Sequence, residues 1–174
     1  MWKQEKLYAQ LNEISHIKDF VVISGGLAWH LMSPPHEEQK MLHDHKDVDL
    51  FVIPRHAQEV FSIIKQRGFN RYWTKYDRFA SSKNFIRYGK NTLVVQKNVK
   101  ILLDLFIREV PFQMIGKFKV MKPEDLLPLY NLTLMSSKST AVQAAYVLVK
   151  RGIDPIGRPE LIGEKHGSRK NTSL

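Results

Sequence analysis

Asp104 constrains the fold of this chain more than any other residue, because it stands alone in the apolar run Val99-Lys100-Ile101-Leu102-Leu103-Asp104-Leu105-Phe106-Ile107. The run has the length and side chains of a buried strand. Burying an ionised carboxylate there costs on the order of several kcal/mol unless a partner offsets it. That partner is either a Lys or Arg side chain, or a cation shared with other carboxylates. Further carboxylates are offered by Lys46-Asp47-Val48-Asp49-Leu50-Phe51-Val52. Side chains alternate along a strand, so Asp47 and Asp49 face the same way, about 7 Å apart. With Asp104 on a neighbouring strand, they complete a triangle. Such a triangle suits one or two hard divalent ions, Mg²⁺ above all, which takes carboxylates together with water and phosphate oxygens. Two such ions polarise a phosphoryl group, ease ionisation of an attacking hydroxyl and stabilise a leaving pyrophosphate. The structural alternative is that Asp47 and Asp49 flank an exposed strand edge while Asp104 forms an ion pair.

A second feature precedes the first carboxylates. Phe20-Val21-Val22-Ile23 reads as a short strand, and Ser24-Gly25-Gly26 joins it to a helix over 27–32 that Pro34-Pro35 stops. Glycines between a strand and a helix let backbone N–H groups approach an anion, and the helix N-terminus adds partial positive charge. The Ser24 hydroxyl is a further donor. The turn is neither a Walker loop nor a dinucleotide fingerprint, since no Gly-Lys-Ser/Thr follows and G-x-G-x-x-G is absent.

Around these segments the apolar spacing predicts a helix over 2–14, on Leu7, Tyr8, Leu11 and Ile14, and another from Pro54 to Gln66. Strands are expected at 71–74, 84–88, 92–95 and 99–107, with turns at Gly89-Lys90-Asn91 and Lys97-Asn98. Pro123 opens a helix that Pro128 should kink or break. Residues 139–150 form a last helix closed by Gly152, and 163–174 read as a flexible basic tail. The expectation is an α/β (α+β) domain over 1–162, with a mixed sheet and a helical C-terminal part from about residue 123.

Charge points toward an anionic partner. Lys and Arg number 27 against 17 Asp and Glu, a net charge of +10, which attracts nucleotides or nucleic acid. Between Arg71 and Lys90, bases (Arg71, Lys75, Arg78, Lys83, Arg87) interleave with Tyr72, Trp73, Tyr76, Phe79, Phe85 and Tyr88. That pattern is either a nucleic-acid surface or a half-buried sheet with a charged outer face. Arg78 and Arg87 are its candidate phosphate contacts. The segment His36–His45 reads as a loop, its histidines either solvated or bound to a transition metal. The chain has no Cys, which excludes disulfides and thiolate sites and fits a reducing cytoplasm. No apolar run approaches the roughly 20 residues of a membrane span and Met1–Glu5 carries no secretory pattern, so no membrane partner is expected.

Together, Val21-Val22-Ile23-Ser24-Gly25-Gly26-Leu27-Ala28, Asp47-Val48-Asp49-Leu50 and Leu103-Asp104-Leu105 resemble the nucleotidyltransferase superfamily, which includes the DNA polymerase β-like enzymes. The pattern is most similar to the small antibiotic-type and minimal members, over about residues 18–150. The resemblance implies a nucleotidyltransferase-like mixed sheet and Mg²⁺-dependent transfer of a nucleoside monophosphate from an NTP, such as ATP, to a hydroxyl, releasing pyrophosphate. It implies that Asp47, Asp49 and Asp104 ligate two metal ions, with Asp104 also activating the acceptor, and that Ser24, Gly25 and Gly26 hold phosphates. Members of the family often carry a Lys on a helix of the type P-E-D-L-x-x-x-K, and here Pro123–Tyr130 has none. Lys138, about two helical turns on, is the substitute. The acceptor is a small hydroxylated molecule, a protein or an RNA. The other readings are a non-catalytic relative binding RNA or a protein partner, and a metal-dependent phosphodiesterase.

Overall fold

The computed structural model describes residues 2–33, 46–73, 84–94, 96–131 and 136–152, with the side chains of 2–4 and 130–142 outside that description. In chain order these residues form α1 (Trp2–Ser15), β1 (Val21–Ile23), α2 (Gly25–Met32) and β2 (Val48–Val52). A 3₁₀ turn (Pro54–His56) leads into α3 (Ala57–Gln66), β3 (Asn70–Tyr72), β4 (Phe85–Val94) and β5 (Lys97–Ile107). A short hairpin of β6 (Gln113–Ile115) and β7 (Phe118–Val120) precedes α4 (Pro123–Asn131) and α5 (Ser136–Lys150). The strands make one mixed sheet in the order β3-β4-β5-β2-β1-β7-β6. β2 runs parallel to β5 and β1 parallel to β7, while the β1–β2, β3–β4, β4–β5 and β6–β7 pairs are antiparallel. The fold is therefore α+β with a mixed sheet and C-terminal helices, as the sequence leads one to expect.

Alternation along β2, β4 and β5 gives the sheet two unlike faces. One carries Val48, Leu50 and Val52 of β2 with Leu103 and Leu105 of β5, all fully buried. Tyr88 and Lys90 of β4 lie on this face, and helices cover it: Phe61 of α3 stacks on Tyr88, and Lys90 Nζ donates to Glu13 Oε1 of α1 at 2.9 Å. Glu13 also accepts a 2.7 Å bond from Arg67 Nε, just past α3. Burial pushes the Glu13 carboxyl up, but the hydrogen bonds and charges of Arg67 and Lys90 outweigh it and hold it below its ordinary value. The other face carries Asp49, Asp104 and Arg87.

The structure differs from the sequence reading at several places. The buried stripe of α1 runs through Leu7, Gln10, Glu13 and Ile14, while Tyr8 is exposed; a carboxylate with two cationic partners can occupy a core-facing position. Gly89-Lys90-Asn91 is not a turn but the middle of the continuous strand β4. A Cβ at Gly89 would stand 3.1 Å from Leu102 Cδ2 and 3.2 Å from Tyr72 Cδ2, so this glycine admits a close approach across the sheet instead of reversing the chain. The reversal lies at Gln96, where φ is +61°, and Lys97 and Asn98 belong to β5. α4 continues through Pro128 to Asn131. The β6–β7 hairpin, turning at Gly116 with φ +56°, has strands of three residues that are too short for periodicity to betray. Gly152, at φ +69°, ends the last helix as anticipated. The expected loop at His36–His45, the residues Lys75, Tyr76, Arg78, Phe79 and Lys83, and the tail at 163–174 lie outside the described residues. Among the described residues, no helix is long and apolar enough to cross a membrane.

Candidate functional site

Register sets two of the three aspartates side by side. Asp49 and Asp104 are direct partners across the parallel β2–β5 pair, and Asp104 is the direct partner of Arg87 across β5–β4. Three charged side chains thus stand in a row across adjacent strands on one face of the sheet. Asp47, just before β2 and two residues from Asp49, shares that face. Asp104 is almost fully buried and Asp47 is half exposed.

Arg87 holds two of these carboxylates. Its Nε donates to Asp104 Oδ1 and its Nη2 to Asp104 Oδ2, both at 2.5 Å, and Nη2 also donates to Asp47 Oδ2 at 3.0 Å. A forked, charge-assisted pair of this kind is among the strongest side-chain interactions. The hydrogen bonds from Asp104 raise the Arg87 guanidinium above its ordinary range against the cost of burial, with Asp47 and Asp49 adding to the attraction. Burial raises the Asp104 carboxyl above its ordinary value and Asp47 adds to the push, which Arg87 offsets only in part. The outcome is the ion pair that the apolar strand around Asp104 demanded. Beyond it, Phe51, Phe85 and Phe106 occupy the next positions of the same face, with ring centroids 5.3 Å (Phe51–Phe106) and 5.1 Å (Phe85–Phe106) apart.

The glycine turn closes the other side. Ser24 N–H donates to the Asp49 carbonyl at 2.8 Å, which ties the turn to β2. Gly25 opens α2 at φ +62°, and a Cβ there would fall 1.9 Å from Asp49 Oδ2. Only glycine lets the backbone lie against that carboxylate. The Ser24 hydroxyl makes no cap bond to α2 and donates instead to the buried Met121 Sδ at 3.9 Å. What Ser24 adds at the turn in this arrangement is its backbone. Gly26 follows in the first turn of α2. Lys138 falls in the first turn of α5, and its side chain is outside the described residues.

The donor set suits a hard divalent cation: carboxylate oxygens from two adjacent strands, already gathered about a positive charge. Among the described residues, no three His, Cys, Asp or Glu side chains are grouped so as to hold a metal ion.

Of the alternating basic and aromatic residues around β3 and β4, Tyr88 is buried and Phe85 half-buried, as in a sheet with a charged outer face. Tyr72 and Trp73 are exposed; Arg71 lies 3.9 Å from the Trp73 ring centroid, and Lys100 Nζ is 4.6 Å from that of Tyr72 and donates to its hydroxyl at 2.9 Å. Sequence reasoning named Arg87 as a phosphate contact and missed that it belongs to Asp104. The signal was there, since a buried aspartate requires a cation, but the pairing depends on a cross-strand register that no local pattern encodes.

No family model matches the chain, and no curated protein matches it. Among solved structures, the fold is similar to the crystal structure of JHP933 from Helicobacter pylori, with a TM-score of 0.53 and 12% identity over 74% of this chain and 56% of that one. The chain thus spans little more than half the length of that relative. The crystal structure of the Megavirus polyadenylate synthase aligns over 92% of this chain and 32% of its own, with a TM-score of 0.40 and 10% identity.

Proposed function

We propose that the protein is a nucleotidyltransferase, moving a nucleoside monophosphate from an NTP to a hydroxyl acceptor. One observation carries the reading: Asp49 and Asp104 are register partners across parallel strands, with Gly25 packed against Asp49 at the N-terminus of an adjacent helix. Carboxylates and a glycine-lined helix start, side by side, are what a triphosphate with its metal ions requires. Asp47, Asp49 and Asp104 are the residues that would hold Mg²⁺. When bound, the metal supplies charge neutralisation at the phosphoryl group and the leaving pyrophosphate.

The chain's own residues do the rest. Backbone N–H groups at Gly25 and Gly26 donate to phosphate oxygens, in a field the α2 dipole makes favourable. Asp104, on the apolar strand, accepts the proton of the acceptor hydroxyl. The oxygen attacks the α-phosphorus, the new P–O bond forms as the bond to the bridging oxygen breaks, and pyrophosphate departs. Lys138 is proposed to meet the triphosphate in place of the lysine that Pro123–Tyr130 lacks. The charge of +10, with Tyr72 and Trp73 exposed beside Arg71 and Lys100, favours an anionic acceptor such as an RNA end.

A second reading has one observation in its favour. The Arg87 fork satisfies Asp104 without any metal, as it would in a non-catalytic relative that binds RNA or a protein. The test is transfer of α-phosphate label from the four NTPs to pooled RNA, protein and small-molecule acceptors, with Asp104→Asn as control. Transfer that requires Mg²⁺ and disappears in the variant supports the enzyme; absence of transfer to any pool favours the binding protein.

A further inference from the structure

We propose that Arg87 is an internal counter-ion that competes with divalent metal for Asp47 and Asp104, so that loading the site and releasing Arg87 are a single event. The inference rests on the preceding reading for what the carboxylates hold, and not for what the protein does with it. Three observations lead to it. The first is geometric: one nitrogen, Nη2, bonds to Asp104 Oδ2 and to Asp47 Oδ2, and Nε takes the remaining Asp104 oxygen. Both Asp104 oxygens already accept from Arg87, so a cation that coordinates Asp104 as well as Asp47 must share or displace those bonds. The second is charge. Among these four side chains, one guanidinium faces three carboxylates, all of which contribute to its attraction. A divalent ion offsets twice as much of that negative charge at shorter range. The third is access: the Arg87 side chain keeps 24% of its surface exposed and Asp47 keeps 42%. The guanidinium can therefore swing toward water when displaced, whereas the Asp104 carboxylate, at 8%, cannot.

The arrangement explains how the chain folds before metal arrives. Converging carboxylates repel one another, and a long side chain on the next strand offsets that repulsion when no metal is bound. It also predicts a metal affinity weaker than the ligand set alone would give, because an ion that engages Asp104 competes with the fork.

The experiment measures Mn²⁺, a hard ion with oxygen-ligand preferences close to those of Mg²⁺, without nucleotide. Free Mn²⁺ is followed by its paramagnetic resonance on the full chain as wild type, Arg87→Met and Arg87→Lys. Arg87→Met, which keeps the stem and removes the fork, is expected to bind Mn²⁺ about tenfold more tightly or better, the equivalent of losing one charge-assisted interaction. Its thermal midpoint should also rise on Mn²⁺ addition by more than that of the wild type. Arg87→Lys keeps a charge but cannot fork, and is expected to bind several-fold more tightly than wild type. If Arg87→Met does not fold in metal-free buffer, the lysine variant decides alone. A folded Arg87 variant that binds Mn²⁺ no more tightly than wild type, or not at all, overturns the proposal. Tighter binding without nucleotidyl transfer by the wild type leaves the counter-ion role standing and removes the enzymatic reading. Transfer by the wild type with unchanged Mn²⁺ affinity in the variants does the reverse.

Discussion

Gly25→Ala probes the closest contact in the site, and its cost follows from two separable effects. The native φ of +62° is one that an L-residue adopts at about 1–2 kcal/mol. The new methyl would then stand 1.9 Å from Asp49 Oδ2 and 2.8 Å from its Cγ, so the carboxylate must leave its rotamer, at about 0.5–1.5 kcal/mol. Urea unfolding should therefore show a loss of about 1.5–3.5 kcal/mol, with the cooperativity of the transition retained. Combining the change with Asp49→Ala separates the two effects. The clash with Oδ2 and Cγ disappears, leaving only Asp49 Cβ at 3.1 Å, while the backbone cost remains. The double variant should be more stable than the sum of the singles predicts, by about 0.5–1.5 kcal/mol. Additive behaviour, or a Gly25→Ala protein within about 0.5 kcal/mol of wild type, would refute the contact on which the turn's role depends.

Glu13→Gln should cost about 1.5–3 kcal/mol at neutral pH, because Arg67 and Lys90 lose a charged acceptor. Since the folded-state value of the Glu13 carboxyl lies below its ordinary 4.5, its contribution is complete above that pH and is lost as pH falls through the lower folded value. Unfolding curves for wild type and variant should converge in acid, and a gap independent of pH would count against the pairing. Leu103→Ala, fully buried on the helix-covered face, should cost about 2–5 kcal/mol in urea unfolding; a loss under 1 kcal/mol would mean that face is less tightly packed than described. Gly89→Val should destabilise β4 even though φ there is ordinary, because its side chain meets Leu102 and Tyr72. A variant as stable as wild type to heat would return Gly89 to the role of a mere turn residue.

The strands bearing the aspartates were legible because their chemistry is local. Asp104 among Leu103, Leu105 and Phe106 announces a buried charge, and the Asp47/Asp49 spacing sets a common face. Gly25-Gly26 after Ile23 announces a strand-to-helix turn. What could not be read depends on residues distant in sequence. Arg87 becomes the partner of Asp104 only through the β4–β5 register. Gly89 looks like a turn until Leu102 and Tyr72 are seen to crowd it. The face α1 buries was misjudged because Glu13 is polar yet core-facing, held there by cations 54 and 77 positions away. Of the three residues at the glycine turn, the sequence could not tell that Gly25 takes the left-handed backbone and meets Asp49, while the Ser24 hydroxyl is turned to Met121.

The central claim is that these carboxylates and this turn form one site for a metal-bound triphosphate. Calorimetric titration of ATP into the wild type and Asp49→Asn, with and without Mg²⁺, addresses it most directly. Wild type is expected to bind ATP only when Mg²⁺ is present. Asp49→Asn is expected to lose that binding while remaining as stable as wild type or more so, since it removes one charge from a crowded acidic cluster. ATP binding that ignores both Mg²⁺ and the Asp49→Asn change, or no ATP binding by the wild type under either condition, would contradict the account.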